Sequence, residues 1–108
     1  MVQKNKRTIN VYLQAGASAR LYKEAGSRFA RDISKVLPSA DTDRLLKLLN
    51  RIDAICSKAE DSMFRDHPDL SDEYLDTFYG DLRTEPRNDT DKKVIDLARE
   101  TAQELFNT

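Results

Sequence analysis

The sequence predicts an all-α fold, a small antiparallel bundle of about four helices with a short extended N-terminal arm. Three observations carry that expectation. Between Asp41 and Phe64, residues Leu45, Leu48, Leu49, Ile52, Ile55, Cys56, Ala59 and Met63 fall within an arc of about 120° when each residue turns ~100°. A second stripe, Leu21, Tyr22, Ala25, Phe29, Ile33 and Val36, shares one face of the stretch before it. Charged residues make up 34% of the chain, aromatics 7%, and Trp is absent, so Leu, Ile, Val and Ala must do most of the packing under a heavily charged surface.

Residues 1–108 are read as one helical domain, in which residues 1–13 form a flexible or extended arm. Ile9, Val11 and Leu13 alternate with Thr8, Asn10 and Tyr12, the period of a strand, while a helix or a separate first turn stays open for the same residues. Were the next helix to run back unbroken, Ile9 and Leu13 would lie on its charged side. Gly16 and its small neighbours permit a break there. The first long helix is expected over 17–37, with Gly26 in its interior and Pro38 ending it.

Ser39 or Asp41 can cap the second helix, which runs to the neighbourhood of Arg65 before Asp66-His67-Pro68-Asp69 stops it. Its rows at heptad spacing describe a broad seam, so this helix is expected at the centre of the bundle. A short third helix starts at Ser71, carries Leu70, Tyr74, Leu75, Phe78, Tyr79 and Leu82 on its apolar side, and stops at Gly80. After a loop over 83–89, Thr90 or Asp89 caps a last helix that ends near Phe106.

The net charge of −1 conceals an uneven distribution. Residues 1–59 hold twelve Lys/Arg and five Asp/Glu, whereas residues 60–91 hold three and eleven. Either the two regions face each other inside the bundle or a basic face awaits an acidic partner. The candidate interaction surface comprises Arg20, Arg28, Arg31 and Lys35 on the first helix and Asp72, Glu73 and Asp76 on the acidic segment.

No catalytic residue, cofactor-binding motif or metal-ligand set is read from the chain. His67 is the single histidine and lacks convergent ligands at metal spacing. Cys56, the single cysteine, lies mid-stripe and reads as packing rather than chemistry. The three glycines form no phosphate-binding loop. The apolar runs fall far short of the roughly 20 residues that span a bilayer, and no signal-peptide core follows the basic N-terminus, so a cytoplasmic location without membrane contact is expected.

The basic N-terminus followed by Thr8-Ile9-Asn10-Val11-Tyr12-Leu13 resembles the start of ribbon-helix-helix DNA-binding proteins. That resemblance implies a strand that pairs with its copy in a dimer and reads the major groove. It covers residues 6–13 only. The next helix is longer than that family's first and two more stand outside the match, so membership is not inferred.

The function expected is therefore non-enzymatic: a small regulator, adaptor or inhibitor acting by contact with an unidentified protein partner, with homodimerisation allowed by the broad seam. The alternative is a nucleic-acid-binding regulator that uses the basic arm and first helix.

Overall fold

Three α-helices build the chain: α1 (Ile9–Ile33), α2 (Ser39–Asp66) and α3 (Asp89–Phe106). The computed structural model describes residues 1–107. Short 3-10 turns occur at Lys4–Lys6 and Asp72–Tyr74, and no strand is present among the described residues. The molecule is elongated, 47 × 28 × 28 Å. The all-helical expectation holds, but with three helices rather than four.

The N-terminal arm is the first correction. Residues 9–13 are helical, so the strand-like alternation, and with it the ribbon-helix-helix resemblance, does not describe this chain. Thr8 is the N-cap, its Oγ1 accepting a hydrogen bond from the Val11 N–H at 3.3 Å. The helix then runs unbroken through Gly16.

Ile9, Leu13 and Ala17 do lie on the same side as Arg20, within about 80°. That side is buried nonetheless, because α3 covers it. Leu13, Ala17, Val94 and Ala98 form one buried cluster, with Ile9, Leu82 and Leu97 packed around it. About 110° round α1, a second buried side faces α2. There Tyr12, Cys56, Met63 and Phe78 make a second cluster.

The central helix is therefore α1, which packs on both α2 and α3. The expectation that α2 would be central is overturned. Cys56 and Met63 are buried, and Leu45, Leu49, Ile52 and Ala59 are half-buried, but Leu48 and Ile55 are exposed. One side of the α2 seam has no cover.

The expected third helix over 71–80 is also absent. In its place is a series of tight i→i+3 turns, with Tyr74 N–H to Ser71 O, Leu75 N–H to Asp72 O, Thr77 N–H to Tyr74 O and Tyr79 N–H to Asp76 O. Ten residues form a marginal helix alone, and this segment gains more by turning its carbonyls toward α1. The caps shift as well: Pro38 is the N-cap of α2, without a side-chain bond, and Asn88 caps α3 by accepting from the Asp91 N–H at 2.7 Å. Helix α1 ends at Ile33, four residues before Leu37, and the intervening residues turn tightly.

Two glycines mark close approaches. A Cβ on Gly26 would meet the Leu49 Cδ2 at 2.7 Å, where α1 and α2 pack most tightly. A Cβ on Gly16 would lie 2.6 Å from the Thr77 carbonyl oxygen. A methyl at the end of a leucine can rotate aside, whereas backbone cannot. Gly16→Ala should therefore destabilise the fold by about 1–3 kcal/mol despite its better helix propensity. Gly26→Ala should cost less, because the propensity gain of ~1 kcal/mol offsets repacking of Leu49. Urea unfolding of the two variants checks the order.

Candidate interaction surfaces

Arg20, expected on an open basic face, is 2% exposed. It arises from the middle of α1 and reaches the turns at 76–81 and the first turn of α3. Its Nη1 donates to Asp91 Oδ1 at 2.7 Å, Nε to the Thr77 carbonyl at 3.1 Å and Nη2 to the Asp76 carbonyl at 2.6 Å. A longer contact of 3.4 Å links Nη1 to the Asp81 carbonyl. One guanidinium thus satisfies the Thr77 carbonyl, which the turns leave unpaired, and adds a donor to the Asp76 carbonyl, which already accepts from the Tyr79 and Gly80 N–H groups. Asp91 is equally committed, its second oxygen accepting from the Arg87 N–H at 3.0 Å. Burial alone would raise the Asp91 carboxyl, but the Arg87 N–H and Arg20 bonds outweigh it and hold it below the ordinary carboxylate value.

Lys23, one turn on, repeats the arrangement. Its Nζ donates to the Phe78 carbonyl at 3.0 Å, pairs with Asp53 at 3.1 Å and lies 4.5 Å from the Tyr79 ring centroid.

At the other end of α1, Arg7 donates to both oxygens of Asp66, at 2.7 and 3.2 Å. The Tyr12 hydroxyl bonds to Asp66 and to Ser62. His67 Nε2 donates to the Arg7 carbonyl at 2.7 Å, and its ring meets Tyr12 edge-on at 6.0 Å. The expected basic arm is thereby tied to the end of α2. The Arg7 guanidinium, then the Tyr12 hydroxyl, hold the Asp66 carboxyl well below the usual carboxylate range.

Of the remaining sequence candidates, Arg28 and Arg31 line a groove with Lys23, Glu24, Ser27 and Arg83. It continues the Arg20 side of α1 beyond the reach of α3. Most of its cations are already matched: Arg83 pairs with Glu24, Arg28 with Asp32 at 3.1 Å and Lys23 with Asp53. Arg31 and Lys35 are exposed and have no ion pair among the described residues.

The acidic candidates are partly used within the molecule. Glu73 accepts from the Thr90 hydroxyl at 2.7 Å and Asp76 pairs with Arg87 at 2.8 Å, while Asp72 is exposed. Burial raises the Cys56 thiol, which sits in the α1–α2 cluster. Among the described residues no three His, Cys, Asp or Glu converge as metal ligands, and no helix is long and apolar enough to cross a membrane.

The surface that residue typing did not single out is apolar. Tyr22 and Phe29 on α1 are 59% and 53% exposed, and Leu48 and Ile55 on α2 are 57% and 68% exposed. Tyr22 and Phe29 lie about 75° round α1 from its α2-facing side, in the sense away from Arg20 and Lys23. Leu48 and Ile55 lie about 90° round α2 from Leu49, Cys56 and Met63, in the sense away from Asp53. Asp53 receives the Tyr79 hydroxyl on its carbonyl at 3.4 Å, which places the 70–82 segment on the opposite side. Both pairs therefore share the back of the α1–α2 hairpin. The seven-residue spacing was visible in sequence, but it was assigned to the core.

Comparisons with protein-family models, with curated proteins and with solved structures give no match.

Removal of the Arg20 side chain should leave Asp91 buried without its cation and the Thr77 carbonyl unpaired. Arg20→Ala is expected to cost about 3–5 kcal/mol, and Arg20→Lys to recover little, because one ammonium cannot reproduce the fork. Denaturant unfolding measures both. For Asp66, the folded-state value is depressed, so its stabilisation is complete above the unfolded value of about 3.9 and is lost as pH falls below it. The midpoint of thermal unfolding should drop on acidification below that pH, and Asp66→Asn should flatten this acid limb.

Proposed function

We propose that this chain acts without catalysis, as a helical adaptor, regulator or inhibitor that binds another protein through the back of the α1–α2 hairpin. The observation that carries the reading is the pairing of Tyr22 and Phe29 with Leu48 and Ile55 on one uncovered side. Four large apolar side chains, each more than half exposed, cost solvation in the free protein and are recovered when a partner covers them. Aromatic and aliphatic anchors of this type supply most of the energy in protein interfaces. The rigid helices beneath them are already ordered, so little further ordering opposes binding.

The nucleic-acid alternative would use Arg31 and Lys35, the cations of α1 left exposed without an ion pair among the described residues. Arg28 and Arg83 are matched by Asp32 and Glu24, and Arg20 is buried. Too few free cations converge there for a phosphate-tracking surface, and the apolar face is the better-supported reading.

Phe29→Asp combined with Ile55→Asp tests the hairpin. Both residues are exposed, so the melting curve should shift by no more than about 0.5 kcal/mol per site. Affinity capture from an extract of the source cells is expected to retain a protein on the wild type that the double variant does not retain. Identical capture by both proteins at matched stability would refute this location.

A further inference from the structure

From Arg44 to Lys58 the charge bordering the hairpin back is of one sign. Along α2, Arg44, Leu48, Arg51, Ile55 and Lys58 succeed one another at spacings of four, three, four and three residues, which places them on a single stripe. All five are exposed. Arg44 makes only a long 3.7 Å contact to Asp41 with its side chain 80% exposed, and Arg51 and Lys58 have no ion pair among the described residues. Asp41, seven residues before Leu48, lies on the same stripe, but the acids within and beyond the Arg44–Lys58 span are elsewhere. Asp53 and Glu60 turn toward the 70–82 segment, while Asp43 and Asp61 lie on the other side of the helix from Leu48.

From Arg44 to Lys58 the stripe is composed of aliphatics and cations, and Asp41, one turn before Arg44, continues it at its N-terminal end. Resting on the hairpin reading above, we infer that its occupant is an amphipathic helix whose apolar face is flanked by Asp and Glu. Leu48 and Ile55, with Tyr22 and Phe29 beside them, take the apolar side chains. Arg44, Arg51 and Lys58 take the carboxylates.

A second copy of this chain is disfavoured by the same charges. Two-fold pairing of the hairpin backs brings one cationic edge toward another, with only Asp32, already paired to Arg28, on the α1 border. The length is also defined. From Arg44 to Lys58 the stripe runs about 21 Å, so about 14 residues of helix cover it.

The test is a displayed library of amphipathic helices with Leu at core positions and flanking positions randomised among Asp, Glu, Lys, Gln and Ser. Selection on the wild type should enrich Asp and Glu at the flanks. Selection on the Arg51→Glu, Lys58→Glu variant, whose melting curve should match the wild type, should shift that enrichment to Lys. Purified acidic winners should bind the variant at least tenfold more weakly, and added salt should narrow the difference.

No enrichment, or the same flanks selected by both proteins, would overturn the inference. So would binding confined to phosphatidylserine vesicles, or a dimer in sedimentation that Phe29→Asp dissolves. If extract capture depends on Phe29 and Ile55 while the library shows no charge preference, the hairpin reading stands and the acidic partner falls.

Discussion

The buried guanidinium of Arg20 is the interaction on which the rest of the structure depends. It joins three parts of the chain that have little else in common: the middle of α1, the irregular turns at 76–81, and the first turn of α3 through Asp91. A buried cation is costly to desolvate, and here the expense is met by a buried carboxylate and by carbonyls of the turns. The exchange is mutual. Without Arg20 the turns would bury the Thr77 carbonyl unpaired, and without the turns Arg20 would lie in a dry site beside one carboxylate. Lys23 extends the same logic to the Phe78 carbonyl. A segment too short for a stable helix is thereby held against α1 by side chains rather than by its own ladder.

This also explains which parts of the fold were legible in the sequence. The α2 boundaries were, since a long apolar stripe between Pro38 and Pro68 leaves few options, and Ser39–Asp66 differs from the expected span by two residues or fewer. The location of Cys56 and Met63 in the core followed from the same stripe. What the pattern could not convey was that α1 has two buried sides. A period of 3.6 residues reports one apolar face. The second face of α1 carries Arg20 in line with Ile9, Leu13 and Ala17, so it reads as charged and solvated. Once that face is called wet, residues 8–13 look like a separate strand, and α2 looks like the centre of the bundle. One buried arginine thus accounts for both errors.

The candidate surface was less legible, for a related reason. Residue typing gathers cations and anions as potential contacts, but it cannot distinguish those that answer one another. Arg20, Arg28, Glu73 and Asp76 each have an internal partner. Leu48, Ile55, Tyr22 and Phe29 were counted as core because apolar residues at helical spacing usually are. Whether such a stripe is covered depends on how many elements surround it, and that is a property of topology rather than of the helix itself.

Length supplies the missing constraint. Helix α2, with 28 residues, is about 42 Å long, whereas α3, with 18, is about 27 Å. Helix α3 packs on a side of α1 about 110° from the one that faces α2, and the 70–82 segment closes the angle between them on one flank only. Among the described residues no element closes the other flank. A pair of helices can bury the stripe between them but not a second stripe shared by their backs, so the apolar width of α1 and α2 exceeds what the described elements cover. The uncovered surplus extends across both helices at matching seven-residue spacing, and from Arg44 to Lys58 its α2 border carries only cations.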